Sequence, residues 1–455
     1  MKPLIMSSSG IRGVIGENLD PRIATRVGMA FGMMTGKGPV IVGGDTRTSH
    51  DMLKQALVSG LTAVGTEVID IGKVPTPTVQ QMIRHFHAKG GIVITASHNP
   101  VMWNGLKVMN ANASFLDEEE YAMFVHHYQT DVFSLADWKN IGSLTHEKNA
   151  LSLHVSHILS LIDCRSIQQS KLRVLIDPNN GAGSLADPIL LEALGVTYHL
   201  LNEKPDGHFS HDPEPLKRNV SDMITELKTG QYDIGFVQDA DADRLVILDE
   251  TGQFIGEDYS LGLCVDYILS QDSSPDKKVV VNLSTSQLIE WIASRHNAST
   301  FYTKIGETHV TQGIKHHQAV VGGEGNGGVI FPKIGWGRDS LVGIVIALKY
   351  LCESKKTVSE IVKTYPQYVM LRKKVEVATQ EEVRHLLHTI EASFPDIPKN
   401  KEDGIKLFFE EGWVHIRPSN TEPIVRLFSE APTLEKAQKL LDYLNTANLP
   451  FANAL

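Results

Sequence analysis

The chain has 455 residues, 42% of them AVILMFWYC, enough for roughly three domains of ~150 residues with real hydrophobic cores, which excludes a disordered chain. Its 43 Lys and Arg against 53 Asp and Glu leave a formal charge of −10, so no nucleic-acid partner is expected and any anionic ligand must be small and locally caged. No run approaches the ~18 apolar residues of a membrane span, MKPLIMSSSGIRG lacks the apolar core of a signal peptide, and Cys164, Cys264 and Cys352 form no CxxC pair; a cytoplasmic protein with no membrane contact, disulfide framework or zinc site is expected.

The first unit in the chain runs VIVGGDTR (40–47), EVIDIG (67–72) and GGIVITASHNP (90–100), β-branched runs separated by helical stretches. Its third strand ends in Thr95-Ala96-Ser97-His98-Asn99-Pro100, with Asn104-Gly105-Leu106-Lys107 shortly after. A serine in a tight polar loop at a strand end suits a nucleophile or covalent carrier, and equally a plain Ser/Asn turn. Adjacent Ser97 and His98 make no triad by themselves, and no G-x-S-x-G elbow is present.

A second unit repeats the pattern as VLIDPNNGAG (174–183), VTYHLL (196–201) and DIGFVQDADADR (233–244). Asp239, Asp241 and Asp243 alternate, so an extended segment would project them to one side. Three close carboxylates cannot all stay ionised uncompensated: either one protonates or a cation binds, and hard divalent ions prefer such oxygens. Glu250 falls at the twelfth position of an EF-hand count, but Arg244 stands where that loop needs glycine and the flanks FVQ and LVIL read as strands, so an EF-hand is rejected.

A third unit runs VVVNLSTS (279–286), STFYTKIG (299–306) and AVVGGEGNGG (319–328). Its loop joins a flexible backbone to Glu324 and Asn326, a carboxylate and an amide able to grip vicinal sugar hydroxyls; a merely flexible lid is the alternative. The remaining residues break the pattern: LRKKVEVA (371–378), a helical EEVRHLLHTIEASF (381–394), IKLFFEEGWVHIRPS (405–419), IVRLFSEA (424–431) and a helix to Leu444 suggest an antiparallel α+β unit. Here Arg417, Ser419, Asn420 and Thr421, with Arg426 beyond, gather guanidinium, hydroxyl, amide and backbone donors suited to a phosphate dianion, or to a capped structural turn. There is no Walker A loop.

Three similar mixed-sheet α/β domains and a smaller C-terminal antiparallel α+β domain are therefore predicted, spanning 1–150, 151–252, 253–366 and 367–455 and packed without linkers. The unusual loop of each repeat follows its third strand, where ligands of open α/β sheets bind.

Taken in order, Ser8-Ser9-Gly10-Ile11-Arg12-Gly13, TASHNP with NGxK, DADADR, GEGNGG and RPSNTEP resemble the α-D-phosphohexomutase superfamily of phosphoglucomutases, phosphomannomutases and phosphoglucosamine mutases, over essentially the whole chain. The resemblance implies four domains around a central cleft and a set of roles. Ser97 would be the phosphoserine, with Asp239, Asp241 and Asp243 holding Mg²⁺ together with its phosphate. Arg12, Arg244 and His98 would stand at the phosphoryl group, and Lys107 would match a lysine implicated in proton transfer. Glu324 and Asn326 would bind sugar hydroxyls; Arg417, Ser419, Asn420, Thr421 and Arg426 would hold the phosphate that is not reacting. Phosphate would pass from Ser97 to a free 1- or 6-hydroxyl, giving a sugar 1,6-bisphosphate that turns over and returns its other phosphate, and added bisphosphate would activate the enzyme.

Two departures mark the chain. Ser7-Ser8 stand where many relatives have Gly-Thr, and Asn326 stands where phosphomannomutases and bacterial phosphoglucosamine mutases usually carry serine. The asparagine version resembles the archaeal-type phosphoglucosamine mutase branch, which points to glucosamine phosphate ahead of mannose or glucose phosphate. A Mg²⁺-dependent phosphatase and a silent sugar-phosphate sensor are the competing functions. A monomer or homodimer is expected.

Overall fold

The structure, a computed structural model, describes residues 4–376, 379–418 and 424–444. Four sheets carry it. The first has seven strands in the order Ile5–Ser7, Gly10–Val14, Trp103–Asn110, Gly90–Ile94, Val40–Gly44, Val68–Lys73 and Leu144–His146. The second runs Leu245–Leu248, Ile234–Gln238, Arg173–Asp177, Thr197–Leu200, and the third Ser299–Thr303, Lys278–Asn282, Val321–Glu324, Gly328–Ile330. The fourth is antiparallel: Val369–Glu376, Ile424–Ala431, Gly412–Pro418, Ile405–Phe409 and Lys399–Asn400.

The first three sheets share one pattern. In each, the first strand of the repeat lies between the second and third, parallel to both, and a fourth strand returns antiparallel to the third. Of the ten parallel strands among the described residues, the sequence anticipates nine, most of them apolar and buried, with Thr197–Leu200 and Ser299–Thr303 partly exposed at sheet edges; it misses the exposed Leu144–His146 beside Val68–Lys73. Among the returning strands it anticipates only Leu245–Leu248. Trp103–Asn110 is interrupted by Asn and Gly, and Gly328–Ile330 is too short to show alternation. The return strands matter because they turn the TASHNP, DADADR and GEGNGG loops into hairpin connections, anchored by a strand on each side.

The second and third sheets share one hydrophobic core, reaching from Val155 to Tyr365. Helix Ser340–Ser354, capped by Asp339, lies in it with Leu341 through Leu348 all buried, which explains a sequence apolar on every face. The first sheet has cores on both faces, around Phe31 and Leu57 and around Ile41 and Ile83. The fourth folds its own core of Val414, Ile416, Leu427 and Leu441 beneath two helices. Among the described residues no helix is long and apolar enough to cross a membrane.

Candidate active site

Ser97 lies at the turn after strand Gly90–Ile94, with φ of 51° and almost no exposure. That left-handed conformation costs an L-residue ~1–2 kcal/mol, so it persists only where neighbours impose it. They do so here. Ser97 N donates to Thr95 Oγ1 at 2.8 Å, and Thr95 Oγ1 donates to Asp45 Oδ2 at 2.5 Å. Buried Arg47 then donates to four carbonyls of the loop, those of Ser97 and Asn99 at 2.7 Å and of Pro100 and Trp103 at 2.9 Å. Asp45 and Arg47 form an ion pair at 3.2 Å, although burial raises the Asp45 carboxyl above its ordinary value. The sequence reading missed both residues; the available signal was the run GGDTR at the end of a buried strand, a third polar cluster beside the serine loop.

Ser97 Oγ donates to Asp239 Oδ2 at 2.8 Å and lies 3.3 Å from His98 Nδ1. The Asp239–Asp243 stretch is a turn with Ala242 at φ 52°, not the extended segment expected, because Ala242 N bonds back to Asp239 O at 3.0 Å. The turn still gathers the three carboxylates: one oxygen from each of Asp239, Asp241 and Asp243 lies within 4.8 Å of the others, and all three residues are buried. Lys107 Nζ donates to Asp241 at 2.6 Å and Asp243 at 3.2 Å, and Arg244 Nε sits 3.7 Å from Asp239 and 3.8 Å from Asp243. Arg12, opposite Gly105 in the neighbouring strand, is close enough to feel Asp241, Asp243 and Arg244.

The titration of these groups follows from burial and proximity. Burial, then Asp243 and Asp241, pushes Asp239 well above the carboxylate range. Burial also opposes ionisation of Asp243, but Arg338, Lys107 and Arg244 outweigh it and hold the group below its ordinary value. Lys107 is disfavoured as a cation by burial, yet Asp241 and Asp243 keep it charged. Arg244, burial and Arg12 push His98 well down, leaving it neutral. Two buried oxygens, Asp241 Oδ1 and Asp243 Oδ1, have no hydrogen-bond partner. An all-oxygen donor set with orphaned carboxylate oxygens and one carboxyl that burial and its neighbours strain toward protonation fits a hard divalent cation such as Mg²⁺.

Glu324 ends strand Val321–Glu324. Its Oε1 accepts from Asn282 Nδ2 at 3.0 Å and Gly306 N at 3.1 Å, and its Oε2 pairs with Arg338 NH1 at 2.7 Å, leaving lone-pair capacity on Oε2. Asn326 closes the tip of the hairpin, its Oδ1 accepting from Gly328 N at 3.2 Å, and Leu245 N donates to Gly327 O at 3.0 Å, which seats this hairpin directly behind Arg244. The loop is therefore a bonded turn, not a loose lid.

In the C-terminal domain Arg417 lies directly across the strand pair from Arg426, two like charges that suit an anion, and Arg417 Nε is 3.3 Å from Asp403. Asp403 also accepts from Ile305 N at 3.0 Å, one residue before the Gly306 that holds Glu324. Arg417, through Asp403, and the Glu324 carboxylate are thus anchored on adjacent peptide groups. Ser419, Asn420 and Thr421 lie outside the described residues.

Four sequence descriptions match along the chain: phosphoglucomutase/phosphomannomutase alpha/beta/alpha domains I, II and III over 4–132, 152–252 and 256–368, and the C-terminal domain over 373–447. The chain belongs to the phosphoglucomutase/phosphomannomutase family. It is 37% identical to a phosphoglucomutase/phosphomannomutase of Thermococcus kodakarensis, covering 96% of this chain and 97% of that protein. It is 35% identical to a probable phosphoglucosamine mutase of Methanopyrus kandleri, covering 96% and 95%. A family member of known structure from Burkholderia thailandensis superposes with a TM-score of 0.85 at 26% identity, covering 97% of each chain. As an α-D-phosphohexomutase, the protein is an isomerase that works by phosphoryl transfer.

Proposed function

We propose that this phosphohexomutase interconverts glucosamine 6-phosphate and glucosamine 1-phosphate, with Ser97 as the phosphoryl carrier. The observation that carries the mechanism is the buried Ser97 Oγ 2.8 Å from Asp239, inside an acid triad with two unpartnered oxygens. Asp239, Asp241 and Asp243, with the phosphoryl group on Ser97, are the residues to hold Mg²⁺, which when bound offsets charge on the transferring group.

The chain's own groups do the rest. The bond from phosphorus to Ser97 Oγ breaks as one forms to the sugar's free hydroxyl oxygen; the hydroxyl's proton is released and one is taken up at Ser97 Oγ. Charged Lys107 and neutral His98 are the donor and acceptor at hand. Arg12 and Arg244 stabilise the phosphoryl oxygens. Glu324 and Asn326 read the sugar, while Arg417, Ser419, Asn420, Thr421 and Arg426 hold the idle phosphate, so one fixed and one reacting position serve both ends of the bisphosphate in turn. Each of four domains, 1–150, 151–252, 253–366 and 367–455, supplies one of these loops.

Glucosamine is favoured by Asn326 in GEGNGG and by the Methanopyrus likeness. The Thermococcus likeness favours a second reading, mannose and glucose phosphates. A ³¹P NMR time course with Mg²⁺, a trace of sugar 1,6-bisphosphate and each hexose 6-phosphate in turn separates them. Fastest appearance of glucosamine 1-phosphate is expected; equal or faster conversion of mannose or glucose 6-phosphate overturns the glucosamine assignment.

A further inference from the structure

Arg338 lies outside every motif of the sequence reading, yet it joins two of them. Its guanidinium is buried and points each nitrogen at a different carboxylate: NH2 donates to Asp243 Oδ2 at 2.7 Å, NH1 to Glu324 Oε2 at 2.7 Å, and Nε lies 3.0 Å from Glu307 Oε2. The last is a charge contact without hydrogen-bond alignment. Glu307 in turn accepts from Gln80 Nε2 of the first domain at 3.2 Å.

The backbone that presents Arg338 is fixed. Asp339 N donates to Val329 O at 3.0 Å, and the Asp339 side chain caps helix Ser340–Ser354 through Leu341 N at 3.0 Å while meeting His154 Nε2 at 3.0 Å. The slot itself exists because residue 328 has no side chain. A Cβ placed on Gly328 would stand 2.1 Å from Arg338 Cδ and 2.8 Å from its Cγ. Gly328 is not in the left-handed region, so its backbone accepts alanine and only the arginine would have to leave.

We propose that Arg338, admitted by Gly328, is a positioning residue that couples the cation site to the sugar site. A guanidinium is a rigid planar fork: it cannot follow Asp243 with one arm without moving the arm on Glu324. Asp243 keeps its other oxygen, Oδ1, buried without a hydrogen-bond partner, and Glu324 keeps acceptor capacity for a sugar hydroxyl on Oε2. A cation that settles Asp243 therefore settles the fork, and the settled fork presents Glu324; by reciprocity a bound sugar tightens the cation. The coupling rests on the functional reading given above.

The test is isothermal titration of Mg²⁺ into the full chain, shown by intact mass to carry no phosphate, with and without saturating glucosamine 6-phosphate. In the wild type the sugar phosphate should tighten Mg²⁺ about fivefold or more, a typical coupling between linked sites. In Arg338→Met the tightening should fall to within about twofold of none. Gly328→Ala keeps every charge and should lose the tightening as well, which guards against a mere charge effect; thermal melts check that both variants remain folded. Undiminished tightening in Arg338→Met, or a wild type that binds both ligands independently, overturns the coupling and leaves the proposed function standing. A wild type that binds neither Mg²⁺ nor the sugar phosphate overturns the functional reading and the coupling with it.

Discussion

Arg47 shows how much of this site depends on residues that never touch substrate. A single guanidinium closes four loop carbonyls, its charge offset by Asp45 and faced by the Phe209 ring. Removing one partner of a buried pair costs ~3–5 kcal/mol because the other charge is left behind. Arg47→Met is expected to lose stability of that order by urea unfolding and to lower kcat by about a hundredfold, since a misplacement near 1 Å is worth as much; an unchanged kcat would remove the loop clamp from the account. A second residue behind the acid turn sets a pH dependence. Asp187 is fully buried, accepts from Gln238 Nε2 at 3.1 Å, and is pushed up to about 8 by burial. Its Oδ2 and the Gln238 Oε1 are both buried without a hydrogen-bond partner, and both lie where a Cβ on Gly183 would stand. Because the folded value lies above the ordinary 3.8, the native state binds the extra proton, and stability falls as pH rises from about 4 through about 8, by ~1.4 kcal/mol per unit at most. Asp187→Asn keeps the same hydrogen bonds and should flatten that decline in denaturant titrations at pH 6 to pH 9; a decline as steep as wild type excludes Asp187 as its source. The sequence marks Arg47 only by the polar run GGDTR and Asp187 not at all, because each acquires its role from segments distant along the chain.

At the scale of the element, the hairpin of third strand and return strand is what positions chemistry. It places Ser97, Asp239 to Asp243 and Glu324 each at a connection held from both ends. Leu245 begins one such return strand, directly after Arg244; it is buried, and its N–H bonds the sugar hairpin at Gly327. Leu245→Ala should cost ~2–5 kcal/mol in denaturant unfolding and weaken Mg²⁺ binding, because the acid turn loses its rear support. Full Mg²⁺ affinity in the folded variant would show that the turn stands without it. The central parallel strands were legible as near-continuous apolar runs, and their loops as breaks in that pattern. The turn at Ala242 was not, since alternate acids look the same in an extended segment and in a tight turn; only backbone hydrogen bonding decides between them. Arg338 escaped for a different reason: it lies eight residues beyond the hairpin that ends at Ile330, in an irregular segment, and its three carboxylates come from three separate stretches.

Across the whole molecule, the segment joining strand Lys278–Asn282 to helix Leu288–Arg295 links the Glu324 loop to the C-terminal domain. On one side Asn282 holds Glu324, and Thr285 Oγ1 accepts from Gly325 N at 3.2 Å. On the other, Lys406 Nζ donates to Leu283 O at 2.7 Å beneath the Trp413 ring, Ser284 Oγ meets His415 Nδ1 at 2.9 Å, and Gln287 N donates to Glu430 at 2.9 Å. His415 Nε2 must carry the ring proton, because it faces the Asp403 carbonyl at 2.6 Å. Seating the C-terminal domain is thereby tied to the loop that carries Glu324. Lys406→Met should raise KM for the sugar phosphate several-fold more than it lowers kcat, and speed proteolytic cutting near residue 367; a fall in kcat alone would contradict this coupling. The four-domain plan and the shared position of the loops were readable as repeats in the sequence, whereas this docking was not, for it uses a lysine, a histidine and backbone groups that carry no motif.

The central claim is that phosphate travels through Ser97. The direct measurement is to incubate the chain with Mg²⁺ and sugar 1,6-bisphosphate labelled with ³²P, then map the label by peptide mass analysis in the wild type and in Ser97→Ala. Label on the Ser97 peptide, chased off by unlabelled glucosamine 6-phosphate into sugar phosphate and absent from a folded Ser97→Ala chain, is the predicted result. Isomerisation persisting in that variant, or label released only as inorganic phosphate, would contradict the account.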